Sequence, residues 1–158
     1  MVIKLSEYIR YSLDAGGKAF STLGKELYHV SQYIDIEKVR YGKRLNLNEE
    51  VEEGLDEYAV PAMMLQPIIE NAIKHGIYES IEGSFIDFKA VRQGNMLVIR
   101  VGNTFDPDAT PVKGTGTGLR NIRQRLQRIY GRNDLITIEK RDGYFRIELK
   151  LPEIHEKD

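Results

Sequence analysis

The chain has 158 residues, of which 41% are hydrophobic and 30% charged, so it is long enough to bury one sizeable core. Its formal net charge of −1 argues against a general attraction to nucleic acid or to an anionic membrane, and the absence of cysteine excludes disulfides, thiolate catalysis and thiolate metal sites. No apolar run approaches the ~18 residues of a membrane span, and the start has no signal-peptide core, so we expect a soluble chain.

The first 42 residues predict two amphipathic helices. Leu5, Ile9 and Leu13 recur at i, i+4 and i+8 before two glycines break the pattern. The second helix is predicted to run from an N-cap at Thr22 to a stop at Gly42, with an apolar stripe at 23, 27, 30 and 34. The two helices are too small to bury their own stripes, so they should pack either on a second copy or on the main domain.

From Arg44 onward the pattern is mixed. A short strand, RLNLN, and a helix, LQPIIENAIKHG, come before two strands, SFIDFKAV and MLVIRV. A loop is predicted from Asn103 to Gly118, then a helix from Leu119 that Gly131 ends, and two last strands, LITIEK and YFRIELKL. The predicted fold class is α+β: a two-layer α/β sandwich with a mostly antiparallel sheet and helices on one face, preceded by a helical hairpin.

The helix LQPIIENAIKHG has one aliphatic side and one polar side. Its polar side carries Glu70, Asn71, Lys74 and His75. An amide oxygen is a hard, neutral ligand suited to Mg²⁺, and an ammonium group neutralises phosphate oxygens. The alternative is a solvated helix face on which Glu70 and Lys74 form an ordinary i, i+4 pair, and this helix taken alone favours that alternative.

The segment KGTGTGLRN changes that balance. Glycines at 114, 116 and 118 alternate with threonines at 115 and 117, and a helix is predicted to follow immediately. Glycines allow backbone N–H groups to approach a ligand, and a helix N-terminus favours phosphate. The pattern lacks the Gly-Lys-Ser/Thr ending of a P-loop. A flexible surface loop is the alternative, but the loop and the preceding helix together favour a nucleotide site.

Two motifs, VPAMMLQPIIENAIKHG and GTGTGLRNIRQRLQRIYG, resemble the ATP-binding domain of sensor histidine kinases of the LytS/YesM type, which have the Bergerat (GHKL) fold. Upstream, LSEYIRYSL and LGKELYHVSQYIDIEKVRYG are similar to the end of that family's phosphoacceptor and dimerisation region. The resemblance implies two parts. Residues 1–43 would end the dimerisation region, and residues 44–158 would form the ATP-binding catalytic domain.

The resemblance also implies roles for the helix residues. Asn71 matches the asparagine that binds Mg²⁺, Lys74 and His75 lie where side chains approach the phosphates, and Glu70 would orient a metal-bound water. The expected ligands are therefore ATP and Mg²⁺. Pro67 stands where ATP-hydrolysing relatives carry a general-base glutamate, which weakens a gyrase-like ATPase as an alternative.

At the adenine position the sequence departs from the family pattern. Asn103 replaces the usual aspartate and Phe105 the usual glycine, so a weaker, neutral acceptor would face the adenine amino group. Phe105 would either stack on the base or belong to the core. The phosphate side would be formed by Gly114, Thr115, Gly116, Thr117, Gly118, Leu119 and Arg120, with a lid from Asp106 through Lys113. Arg123 would also reach phosphate, whereas Arg125 and Arg128 would lie on a solvated face.

In this family the acceptor histidine lies upstream of LSEYIRYSL, and neither His29 nor His155 is expected to replace it. The expected function is a kinase fragment that binds Mg-ATP and donates the γ-phosphoryl to a histidine outside this segment, without phosphorylating itself. Its expected partners are a response regulator and, through the dimerisation helices, a second copy, but no nucleic acid. The expected location is the cytoplasmic part of a bacterial sensor anchored in the inner membrane. The alternative is a nucleotide-independent dimerisation and signalling module with a degenerate ATP site.

Overall fold

The computed structural model describes residues 2–15, 19–78, 80, 82–108 and 117–154. Within these ranges the helices are α1 (Val2–Ala15), α2 (Leu23–Tyr41), α3 (Leu65–Tyr78) and α4 (Thr117–Tyr130). The strands are β1 (Phe20–Thr22), β2 (Leu45–Val51), β3 (Ala59–Pro61), β4 (Ser84–Gln93), β5 (Met96–Thr104), β6 (Ile136–Arg141) and β7 (Tyr144–Pro152). Across the described ranges, every helix is too short or too polar to cross a membrane.

The main sheet has five strands in the order β2-β4-β5-β7-β6. β2 runs parallel to β4, and the other neighbouring strands are antiparallel. Helix α3 packs on β4 and β5, and α4 packs against α3. This arrangement confirms the predicted fold class, a sandwich of helices on a mostly antiparallel sheet.

The core lies between α3 and the sheet. Every member of the predicted aliphatic stripe of α3 is at most 2% exposed: Leu65, Ile68, Ile69, Ala72 and Ile73. In β7, apolar residues alternate with polar ones in the sequence YFRIELKLP, and Ile147, Leu149 and Leu151 are buried. Burial of one such aliphatic side chain stabilises the fold by about 2 kcal/mol, so this stripe determines which side of α3 remains available to a ligand.

Helix α2 begins and ends where the sequence predicts. The Thr22 side chain accepts a hydrogen bond from the Lys25 backbone N–H at 3.3 Å, and Gly42 closes the helix with a positive φ of 58°. Its stripe residues Leu23, Val30 and Ile34 are buried in the main core. Of the two packing alternatives, α2 therefore packs on the main domain.

Helix α1 is joined to α2 by polar contacts. Lys4 Nζ lies 2.7 Å from Asp35 Oδ2, and Gln32 donates to Glu7 at 2.8 Å. Leu5 and Ile9 of the predicted stripe are 44% and 48% exposed. Within the described residues, this part of the α1 stripe is left largely uncovered.

The boundaries of β2, β5 and α4 are among those that differ from the predictions. β2 continues to Val51, past the predicted end at residue 48, because its parallel pairing with β4 extends through that residue. Asn103 lies inside β5 and not in a loop, since it pairs with both neighbouring strands. α4 begins at Thr117, two residues before the predicted Leu119. Glycine in a helix costs only about 1 kcal/mol relative to alanine, so Gly118 does not prevent the helix from starting before it.

A second, two-stranded sheet was not predicted. β1 pairs antiparallel with β3, and each strand has three residues. Strands this short show no period-2 pattern that could be read from the sequence. The pairing places the segment that enters α2 beside the segment that enters α3.

On the outer face of the sheet, Glu148 of β7 forms an ion pair with Arg100 of β5, with 2.6 Å between Oε2 and Nε. Burial by itself would raise the pKa of Glu148, but the hydrogen bond and charge of Arg100 outweigh it, and the pKa is lowered from 4.5. A carboxyl whose pKa is lower in the folded state stabilises the fold above its unfolded pKa, and this contribution is lost as the pH falls through the folded pKa.

We expect Glu148→Gln to lower the free energy of unfolding by about 1 kcal/mol at pH 7 and to flatten its fall below pH 4.5. Urea denaturation at a series of pH values measures both effects. Glu139→Gln is the matched control, because Glu139 also pairs with an arginine but is 56% exposed. It should therefore change the fall of the free energy of unfolding at low pH less. If the free energy of unfolding falls identically below pH 4.5 in wild type and in Glu148→Gln, the expectation is contradicted.

Candidate nucleotide-binding site

Helix α3 presents its polar side away from the core. Glu70 is exposed, whereas Asn71, Lys74 and His75 are partly buried. The Glu70 carboxylate accepts a hydrogen bond from Gln66 Nε2 at 2.8 Å. Glu70 therefore pairs with Gln66, four residues earlier in the helix. It does not form the ordinary ion pair with Lys74 that the alternative predicted.

The side-chain amide of Asn71 is incompletely satisfied. Its Nδ2 atom is buried and has no hydrogen-bond partner. Buried polar atoms without partners are uncommon in folded proteins and call for an explanation such as a water or a ligand. Because an amide can be turned by 180° about its last bond, this corner of Asn71 can present either its N–H or its oxygen. The residue therefore suits either a phosphate oxygen or a hard cation.

A metal site built from protein carboxylates or imidazoles is absent from the described ranges, where no group of three or more His, Asp or Glu side chains is placed to hold one. Mg²⁺ commonly takes only one or two protein ligands and completes its shell with water and substrate phosphates. Asn71 is therefore suited to an Mg²⁺ ion that binds together with a nucleotide.

Asn103 is the second incompletely satisfied amide. It is fully buried in β5, and its Nδ2 donates to the Thr104 carbonyl oxygen at 3.2 Å. Its Oδ1 is buried and has no hydrogen-bond partner. A buried acceptor without a donor fits an amino group such as that of adenine.

Two phenylalanines lie near this end of the sheet. Phe105 does not join the buried core; its ring is partly exposed, and Lys140 Nζ lies 4.4 Å from the ring centroid. Phe145 pairs with Asn103 across β5 and β7, and its ring centroid is 6.4 Å from that of His75. The register that sets Phe145 opposite Asn103 depends on strand pairing and cannot be read from the sequence.

Gly76 allows α3 to approach the strands that carry this site. A Cβ added to Gly76 would lie 1.9 Å from Ser84 Oγ and 3.5 Å from the Thr104 carbonyl oxygen. Ser84 Oγ is itself buried without a hydrogen-bond partner. Sequence reasoning missed Ser84, since a serine at the start of a strand carries no signal of such a contact. The close approach brings the C-terminal half of α3 beside the end of β5.

The phosphate side of the predicted site is described in part. Thr117, Gly118, Leu119 and Arg120 form the first turn of α4, in which Gly118 and Arg120 are exposed. Further along α4, Arg123 and Arg128 are exposed and Arg125 is partly buried. The predicted residues Gly114, Thr115 and Gly116, and residues 109–113 of the predicted lid, lie outside the described residues, as does His155.

The fold belongs to a known class. Residues 1–45 match the family model described as histidine kinase. The catalytic domain of histidine kinase ThkA aligns with a TM-score of 0.63 at 17% identity, covering 85% of this chain and 94% of that domain. ThkA in complex with the response regulator protein TrrA aligns with a TM-score of 0.56 at 16% identity, over 99% of this chain and 49% of the ThkA chain. These similarities establish the fold of histidine kinase catalytic domains.

Two proteins with similar sequences are sensor histidine kinases. The sensor histidine kinase BtsS of Escherichia coli K12 is 33% identical over 153 residues, which cover 96% of this chain and 27% of BtsS. The sensor histidine kinase/phosphatase LytS of Staphylococcus aureus Mu50 is 30% identical over 152 residues, or 88% of this chain and 26% of LytS. The chain thus spans about a quarter of the length of these relatives. It is homologous to sensor histidine kinases that include LytS, which confirms the resemblance predicted from the motifs.

Proposed function

We propose that this chain is the catalytic part of a sensor histidine kinase, which binds Mg-ATP between α3, the end of β5 and the start of α4. The observation that carries the proposal is the pair of buried amides, Asn71 and Asn103, each with one polar atom left without a partner. A nucleotide can satisfy both: a phosphate oxygen can accept from Asn71 Nδ2, or the turned amide can offer its oxygen to the phosphate-bound metal, and the base can donate to Asn103 Oδ1. The homology to sensor histidine kinases supports the same role.

Each group on the site has a distinct task in this proposal. Asn103 Oδ1 accepts a hydrogen bond from the adenine amino group, and Phe145 with His75 flanks the base. Asn71 would hold Mg²⁺, and Glu70 would orient a water beside it. Bound Mg²⁺ would neutralise charge that develops on the transferred phosphoryl group. Lys74, Arg120 and the α4 N-terminus neutralise the phosphates.

The phosphoryl acceptor in this proposal is a histidine outside the segment. His29 is 1% exposed within α2, and burial lowers its pKa, so it is unsuited to accept a phosphoryl group from a bound nucleotide. Pro67, in the first turn of α3, offers no general base for water. We therefore expect ATP binding with little hydrolysis and no self-phosphorylation.

The expected partners follow from the same proposal. ThkA, whose fold this chain shares, is known in complex with a response regulator protein. We propose a response regulator as the eventual phosphoryl acceptor and a homodimer formed through the helical segment.

Calorimetric titration of the chain with ATP, with Mg²⁺ and with EDTA in its place, tests the proposal. We expect binding that requires Mg²⁺ for full affinity, and no labelled protein after incubation with γ-labelled ATP. Absence of any binding at millimolar ATP would refute the proposed kinase function and favour the nucleotide-independent signalling module.

Asn103→Leu should weaken ATP binding by about tenfold, because the buried acceptor for the adenine amino group is lost. Leucine has nearly the same shape, and removal of a half-satisfied buried amide should change the fold's stability little. Purine riboside triphosphate, which has a hydrogen in place of the amino group, is the matched control ligand, and its affinity should be unchanged. Parallel calorimetric titrations measure the two affinities. An equal loss of affinity for the two nucleotides would show that Asn103 does not bind the adenine amino group.

A further inference from the structure

The entrances to α2 and α3 are held together by backbone pairing. β1 (Phe20–Thr22) pairs with β3 (Ala59–Pro61), and the Leu23 N–H donates to the Tyr58 carbonyl oxygen at 2.9 Å. The helical segment that precedes the main sheet is therefore connected directly to the start of α3, the helix that carries Asn71.

One buried side chain adds to this connection. Glu26 of α2 is 1% exposed, and its carboxylate accepts hydrogen bonds from three consecutive backbone N–H groups. These donors are Met63 at 2.9 Å, Met64 at 3.1 Å and Leu65 at 3.5 Å. A negative charge at a helix N-terminus is favourable, and a carboxylate makes strong hydrogen bonds to backbone N–H groups. Glu26 thus caps α3 from a different helix.

The turn that Glu26 holds is strained. Met63 has a φ of 59°, in the left-handed region that residues with a side chain seldom occupy. Such a conformation persists only where surrounding contacts hold it in place. The bond from the Met63 N–H to Glu26 is one such contact, so the carboxylate supports the turn as well as the helix start.

We propose that Glu26 is a positioning residue of the nucleotide site, which couples α2 to Mg-ATP binding through α3. A helix rises about 1.5 Å per residue, so Asn71 lies about 9 Å along the axis from Leu65. A shift or fraying of the α3 start therefore moves Asn71 relative to Asn103, which is fixed in the sheet. This inference rests on the proposed function for its effect on ATP, but its effect on α3 is independent of ligand.

Glu26→Gln tests the proposal with almost no change in shape. The amide retains one accepting oxygen and turns its own N–H donors toward the N–H groups of α3. We expect Mg-ATP to bind at least fivefold more weakly, and the side-chain amide NMR signal of Asn71 to shift in the ligand-free chain. Gly94→Ala is the control for lost stability alone: Gly94 has a φ of 63°, and a Cβ there meets nothing within 4 Å. Its turn between β4 and β5 is far from Asn103, so affinity and the Asn71 signal should be unchanged.

The outcomes separate the two proposals. Glu26→Gln could be destabilised like Gly94→Ala and still keep wild-type Mg-ATP affinity and an unshifted Asn71 signal. That result overturns the positioning role. If wild type does not bind Mg-ATP, the kinase function fails, whereas the Asn71 signal still decides whether Glu26 positions α3. Should Glu26→Gln not fold, Glu26→Asp replaces it; the shorter carboxylate keeps the charge, and an intermediate loss of affinity is expected. Wild-type affinity and Asn71 signal in that variant would also overturn the role.

Discussion

Replacement of Asn71 by alanine is expected to weaken Mg²⁺-dependent nucleotide binding strongly without loss of stability. Asn71 would be the protein ligand of the metal, and its removal should weaken Mg-ATP binding by about a hundredfold, or about 2.8 kcal/mol. Binding measured in EDTA should change much less, because the metal is then absent from both proteins. Calorimetry with and without Mg²⁺ measures the difference.

The stability expectation for Asn71→Ala has a separate basis. Asn71 Nδ2 is buried with no hydrogen-bond partner, so the ligand-free fold gains nothing from that group. Its removal should leave the free energy of unfolding unchanged or raise it by up to about 1 kcal/mol. A residue that costs stability and is needed for binding is characteristic of a functional site.

Asn48→Ala is the control for Asn71→Ala. Asn48 also carries a side-chain amide, but it is exposed on β2 and donates to the partly buried Asp87 at 3.4 Å. This variant should keep both affinity and stability. If Asn71→Ala instead unfolds at lower urea and binds Mg-ATP like wild type, Asn71 is a structural residue and the proposed metal site is wrong.

The second large effect is expected at Gly76. In Gly76→Ala the new Cβ would lie 1.9 Å from Ser84 Oγ and 2.7 Å from Ser84 Cβ, well inside contact distance. Relief of this overlap requires α3 to move away from the sheet. We expect a loss of about 3 kcal/mol in the free energy of unfolding, together with loss of Mg-ATP binding, since Asn71 and His75 would move with α3.

A double variant distinguishes this overlap from a general effect of alanine. Ser84→Gly removes both overlapping atoms and should restore more than half of the stability lost in Gly76→Ala, after allowance for the cost of glycine in a strand. Gly118→Ala, at a helical glycine with nothing within 4 Å of its added Cβ, should not destabilise the chain. Urea denaturation of wild type, the two single variants and the double variant measures the coupling, and Gly118→Ala is measured alongside as the control. Additive losses from Gly76→Ala and Ser84→Gly would contradict it.

Local patterns accounted for most of the elements and for the polar side of α3. The 3.6-residue stripe of α3 and the alternation in β7 depend on the burial of one side of a single element, so they can be read from neighbouring residues. The caps of α2 could be predicted for the same reason, because Thr22 and Gly42 act within one turn. Asn71, Lys74 and His75 were then found on the side that the core does not use.

Predictions failed where the answer depended on residues distant in sequence. Asn103 was assigned to a loop, but pairing with Ile86 and Phe145 makes it part of β5. Phe105 was considered for the core, whereas it is Phe145 that packs against it. The ends of β5 are decided by which strands lie on either side, and no short stretch of sequence contains that information.

The sequence by itself thus determined the class of fold, the helix that carries Asn71, and the resemblance to sensor histidine kinases, because these depend on local periodicity and on short motifs. Only the tertiary structure decided that Asn103 keeps a free acceptor inside the sheet, that Gly76 brings α3 against Ser84, and that Glu26 caps a helix 37 to 39 residues away along the chain. Hydrogen bonds and close contacts form between groups that folding brings within a few ångströms, and that proximity depends on the whole fold.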